Sequence, residues 1–180
     1  MNAVWWARAL AFSSLVVAAA VVQAGKAKSA GDPVVVDHVR AANGRFVDVA
    51  VAVAEGYASA GCVTSLDGGA MGVRYVNAAY LKDRNVDIKR PQAVLYEPLP
   101  DGKLALVGVQ YITFNGPASL DGQTFGFVGK PNNYGLEPFY ELPVWAWKVN
   151  LHGAFADMNP NVSCDYAKVS GEAPVIFDLD

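Results

Sequence analysis

A chain of 180 residues with 53% hydrophobic and 17% charged side chains is too apolar for disorder, and near the size of one domain once a short leader is set aside. Its formal net charge of −3 gives no electrostatic motive for binding nucleic acid or anionic lipid. The densest basic stretch, Lys82 to Arg90, is interrupted by Asp83 and Asp87.

The first residues follow the three-part secretory pattern. Arg8 and the α-amino group form a positive start, Ala9 to Val22 is an uncharged, mostly apolar run, and Val22-Gln23-Ala24 offers a peptidase site. A cleaved signal peptide over 1–24 is therefore expected, and with it a periplasmic or secreted location. A membrane anchor is the competing reading, because spanning lipid takes about 20 apolar residues and Ala3 to Val22 just reaches that. The Ala-rich content favours cleavage, and no Cys or twin Arg marks a lipoprotein or twin-arginine route. Removal of Arg8, the only charged side chain before Lys26, takes the net charge from −3 to −4.

Residues 25–38 read as a flexible mature N-terminus and 39–180 as a single globular domain. Val39, Ala42, Phe46, Val49, Val53 and Tyr57 recur at helical steps. Val47, Val49, Val51 and Val53 also alternate as in a strand, but Ala50, Ala52 and Ala54 between them favour helix, ending near Gly56. Asp67-Gly68-Gly69 is a loop, and Val73 to Val76 a short extended piece. Gln92 to Glu97 and Leu104 to Phe114 flank Pro98-Leu99-Pro100-Asp101-Gly102, which is turn chemistry, so the two pair as an antiparallel hairpin. Strict alternation along the second strand places Leu104, Leu106 and Ile112 on one face and Val107, Val109 and Tyr111 on the other, so both faces are covered. Asn115 to Leu136 is a long Gly/Pro/Asn loop with a short strand at Phe125 to Val128, and Glu141 to Lys148 is the last strand. The fold class is α+β: one main helix packed on a curved, mostly antiparallel sheet, as in nuclear-transport-factor or cystatin folds. A small β-barrel is the alternative.

Cys62 and Cys164 are the only cysteines. In an oxidising compartment they are expected to pair, tying the segment after the helix to the C-terminal tail. A metal or catalytic role finds no CxxC or Cys-His spacing.

Three segments carry a resemblance. They are Gly69 to Asn77 (Gly-Ala-Met-Gly-Val-Arg-Tyr-Val-Asn), the Ala93 to Pro98 and Leu106 to Tyr111 pair, and Leu142 to Trp147 running on to Phe155 through Cys164. Together they resemble a group of uncharacterised exported bacterial proteins. That group carries Met-Gly-x-His-Tyr, Leu-Tyr-Glu-Pro, His-Val-Trp-x-Trp and Asn-Pro-Asn-Val-x-Cys segments. The resemblance covers roughly residues 40 to 165 and carries no activity over. Arg74 and Pro143 stand where the group has His, so a metal or haem held by those imidazoles is not expected here.

No metal or cofactor motif stands out. His38 and His152 are the only histidines, and His152 in Asn150-Leu151-His152-Gly153 reads as a loop residue despite Asp157 nearby. No Gly-x-Ser-x-Gly elbow or phosphate loop is present. Glu97 and Arg74 each interrupt an apolar extended segment and are expected to meet as a buried pair, with Tyr75, Tyr96 and Tyr111 completing a polar cluster. That cluster either fixes the sheet or anchors a ligand. Trp145 and Trp147, two apart, share one strand face with Pro143, as core or as an aromatic wall. Three functions follow as expectations: a non-enzymatic domain binding a small apolar ligand, an enzyme using Glu97 as acid or base, and a purely structural envelope protein.

Overall fold

Val35, Val36 and Val39 turn one apolar stripe inward and build α1 (Val34–Asn43), so residues 34–38 are helical rather than a loose tail. The expected single helix is interrupted after Asn43. A 3₁₀ turn (Gly44–Val47) follows, then Asp48 accepts the amide of Ala50 and starts α2 (Val49–Ala54). The break keeps Phe46 and Tyr57 in the core, while Val53 faces solvent at 55% exposure. The computed structural model describes residues 33–66, 68–132 and 134–167. The expected signal peptide over 1–24 lies outside the described residues, as do residues 25–32. None of the described helices is long and apolar enough to cross a membrane.

Among the described residues six strands, β1 (Ala58–Thr64), β2 (Ala70–Val76), β3 (Ala93–Pro98), β4 (Leu104–Thr113), β7 (Gly126–Val128) and β8 (Phe139–Val144), form one antiparallel sheet. Their order in it is β1-β2-β3-β4-β8-β7. A separate hairpin joins β5 (Ser119–Leu120) to β6 (Gln123–Thr124), and α3 (Ala78–Asp83) lies between β2 and β3. The fold is α+β and the sheet does not close into a barrel. Leu99 and Lys103 close the β3–β4 turn through the Leu99 amide and the Lys103 carbonyl at 2.9 Å, with Gly102 at φ +78°.

One face of the sheet packs Val94, Tyr96, Val109, Tyr111, Leu142 and Val144 against α1, Phe46 and Tyr57. The other carries Val76, Ala93, Ile112 and Phe139 under Leu81 and Leu136, and Leu95 and Val107 under Trp145 and Val162. The face assignment of β4 differs from strict alternation. Leu95 pairs with Gly108 but Tyr96 with Leu106, a bulge that leaves Val107 over. Leu106 therefore joins Val109 and Tyr111 in the helix-side core, and Val107 points the other way. On β2, Gly72 has φ +82°, and a Cβ there would stand 2.3 Å from the Tyr96 carbonyl oxygen, so only glycine lets the strands approach. Cys62 on edge strand β1 is bonded to Cys164, 102 residues on, which clamps the tail across the sheet edge.

Candidate functional site

The last strand ends earlier than its apolar pattern indicates. Beyond Val144 the Ala146 amide turns back to the Val144 carbonyl and the Trp147 amide reaches Val107, at 3.0 and 3.2 Å. Trp145 and Trp147 thus do not share a strand face. Trp145 is buried with Leu95, Val107 and Val162, and its Nε1 donates to the Ala156 carbonyl at 2.6 Å. Gly108 makes room for it, since a Cβ there would meet the Trp145 ring at 3.3 Å. Trp147 is half-buried and packs toward the helix-side core.

The turn opens a cleft of about 300 Å³ lined by Arg40, Trp145, Ala146, Trp147, Lys148 and Asn150 among others. That volume is at the small end of the range for ligand sites. Arg40 reaches across from α1, its Nε donating to the Ala146 carbonyl at 2.6 Å and Nη1 to Asp37 at 2.8 Å. Asn150 is fixed by donating to the Met158 carbonyl at 2.9 Å. Val149 and Leu151 continue the apolar surface outward, 74% and 75% exposed.

Glu97 does not meet Arg74. Its carboxylate accepts from Lys148 Nζ and, at 3.3 Å, from the Ser163 amide. With side-chain exposures of 15% for Glu97 and 30% for Lys148, this ion pair ties β3 to the cleft segment and the tail. Arg74 is elsewhere on the sheet, because it pairs in register with Leu95, while Glu97 is paired with Ala105 at the far end of β3. The guanidinium lies over the Tyr134 ring, 4.2 Å from its centroid. The Glu141 carboxyl lies near it, and Gln110 Nε2 donates to Glu141 Oε2 and, at 3.4 Å, to Tyr134 Oη. Tyr134 Oη contacts Met71 Sδ at 3.3 Å. Burial pushes the Glu141 carboxyl up to about 7, helped by the negative charge of Asp157 and opposed by Gln110, Arg74 and Tyr134. Burial also lowers the Arg74 guanidinium from its ordinary value and raises Tyr134 to about 12.

The three tyrosines of the expected cluster sit on the opposite face from Arg74. Tyr96 and Tyr111 are fully buried, and their hydroxyls donate to the carbonyls of Phe46 and Ile88, each at 2.7 Å. Burial raises both phenols. Tyr75 meets the Tyr96 ring edge-on at 5.4 Å. These are core residues, split from Arg74 by the alternation of β2 and β3. Glu141, Gln110, Tyr134 and Arg40 were not among the expected site residues. The signal for Glu141 and Gln110 was present, since each interrupts an apolar strand as Glu97 does. Among the described residues no group of three or more His, Cys, Asp or Glu side chains is placed to hold a metal ion. No family model matches the chain, and no curated protein or solved structure matches it significantly.

Proposed function

We propose that this is an exported, non-enzymatic domain that binds a small, largely apolar ligand in the cleft between α1 and the Trp145–Asn150 segment. The carrying observation is the composition of that cleft: tryptophan and alanine walls with Arg40, Lys148 and Asn150 as the few polar groups that orient a ligand. Both cations already have carboxylate partners, Asp37 and Glu97, so the cleft is close to charge-neutral and suits an uncharged or weakly polar molecule better than a strong anion. Export is supported by the Cys62–Cys164 disulfide together with the secretory pattern of the first 24 residues. An enzyme built on Glu97 has less support, because Lys148 and the Ser163 amide hold that carboxylate as a structural clamp.

Tryptophan emission is the direct test. Titration with a panel of lipids, aromatic compounds and haem should give a saturable shift or quench with at least one class, and Trp147→Phe should reduce it. A panel without any saturable response would remove the binding reading and leave a structural role. A response that persists unchanged in Trp147→Phe and Trp145→Phe would place the ligand away from the cleft.

A further inference from the structure

One wall of the cleft is held in shape by the stretch of chain that follows it. Ala154 to Cys164 runs behind the Trp145–Asn150 segment as a strap. Trp145 donates its amide to the Ala154 carbonyl at 3.0 Å and its Nε1 to the Ala156 carbonyl at 2.6 Å. Asn150 donates to the Met158 carbonyl, and the Asn159 and Asn161 side chains donate to the Val149 carbonyl at 3.2 and 3.1 Å. The strap is pinned to the sheet at Asn159, which exchanges two backbone hydrogen bonds with Ala70 on β2, each 3.1 Å. Its last three residues each add one attachment. Val162, 3% exposed, packs in the cluster around Trp145. The Ser163 amide donates to Glu97, the carboxylate that holds Lys148. Cys164 is bonded to Cys62 on the edge strand β1.

Two cleft residues, Trp145 and Lys148, therefore depend on a short stretch between two anchors. With Cys164 bonded, Val162 and Ser163 leave the sheet only by straining the chain between Asn159 and Cys62. With Cys164 unbonded they are anchored from one side and fray as chain ends do. Departure of Ser163 takes a hydrogen bond from Glu97, and departure of Val162 uncovers Trp145.

We propose that the Cys62–Cys164 bond assembles the ligand cleft: the oxidised chain fixes Trp145 and Lys148 in the wall, and the dithiol chain leaves that wall loose. This regulation rests on the reading of the cleft as a ligand site. The step is thiol–disulfide exchange. The two thiols give up two protons and two electrons, the S–S bond forms, and a disulfide donor is reduced to its dithiol. The pair lies at the sheet edge with neither cysteine buried in the core. Binding then waits on arrival in an oxidising compartment, since a chain still in a reducing one lacks the finished wall.

The test needs no ligand. NMR of the full chain, oxidised and then reduced with dithiothreitol, follows the Trp145 indole N–H and the amides of residues 145–150. On reduction the indole N–H should exchange about twofold to tenfold faster, the effect of one net hydrogen bond lost, and the 145–150 signals should shift. The β3 and β4 amides should keep their dispersed, folded positions. Val162→Ala in the oxidised chain should move the same cleft signals with the disulfide intact. A Trp145 indole that does not respond to reduction would overturn the proposal. Loss of the β3 and β4 resonances on reduction would also overturn it, because the bond would then hold the whole domain rather than the cleft. Failure of the binding reading looks different: reduction loosens the wall as expected, yet the oxidised chain answers no class of ligand. Where lipid, aromatic compound or haem does bind, its Kd should rise on reduction by the same factor, and an unchanged Kd would overturn the coupling.

Discussion

Replacing Glu141 with Gln is expected to stabilise the protein at pH 8 and to change little near pH 4. The carboxyl rises from an ordinary 4.5 to about 7 in the folded protein. Between those values the folded state holds a proton that the unfolded state has released, so stability falls as pH rises through this window and is constant above it. At about 1.4 kcal/mol per unit, the full cost of carrying the ionised group at pH 8 is about 3 kcal/mol. Gln keeps an acceptor for Gln110 Nε2 and never ionises, so it should recover up to that amount. The attraction of Arg74 already enters that value, because its charge lowers the Glu141 carboxyl against the larger effect of burial, so it adds no separate cost. Urea denaturation of both proteins at pH 4, 6 and 8 measures the difference. A variant less stable than wild type at pH 8, or a wild-type stability that does not decline from pH 5 to 8, would refute the reasoning.

Two further outcomes follow from the backbone. Replacing both Cys62 and Cys164 with Ser opens a loop spanning 102 residues and should cost up to ~4.7 kcal/mol by chain entropy, read as a lower urea midpoint; an unchanged midpoint would mean that the tail clamp adds nothing. Gly72→Ala forces a Cβ to 2.3 Å from the Tyr96 carbonyl at a φ of +82° and should cost at least ~2 kcal/mol, with exchange protection lost first between β2 and β3.

Much of the chain was legible because its signals are local. The Pro98 to Gly102 turn dictates an antiparallel hairpin whichever sheet it joins, and the resulting β3 and β4 lie within a residue of their apolar runs. Alanines between valines favour helix over strand at 47–54 for reasons of propensity alone. β1 was missed, since Ala-Ser-Ala-Gly-Cys-Val-Thr alternates in neither size nor polarity and sits at an exposed sheet edge. The helix break after Asn43 and the bulge at Val107 were missed for a related reason. Each shifts the period by a residue or so, and a period read from sequence assumes that no residue is inserted.

By itself, the sequence determined the α+β class, the central hairpin, most of the apolar residues that enter the core (Val53 is an exception) and the two cysteines available to bond. Tertiary structure alone decided which polar side chains meet. Arg74 and Glu97 interrupt apolar segments alike, yet one stacks on Tyr134 near Glu141 and the other clamps Lys148. That choice depends on strand order, which sets β8 beside β4, and on register, which moves a side chain ~3.3 Å along the sheet per residue. Burial then fixes what each partner is worth. An ion pair or a raised carboxyl depends on the distance and dielectric between atoms far apart in the chain, and no residue carries that information alone.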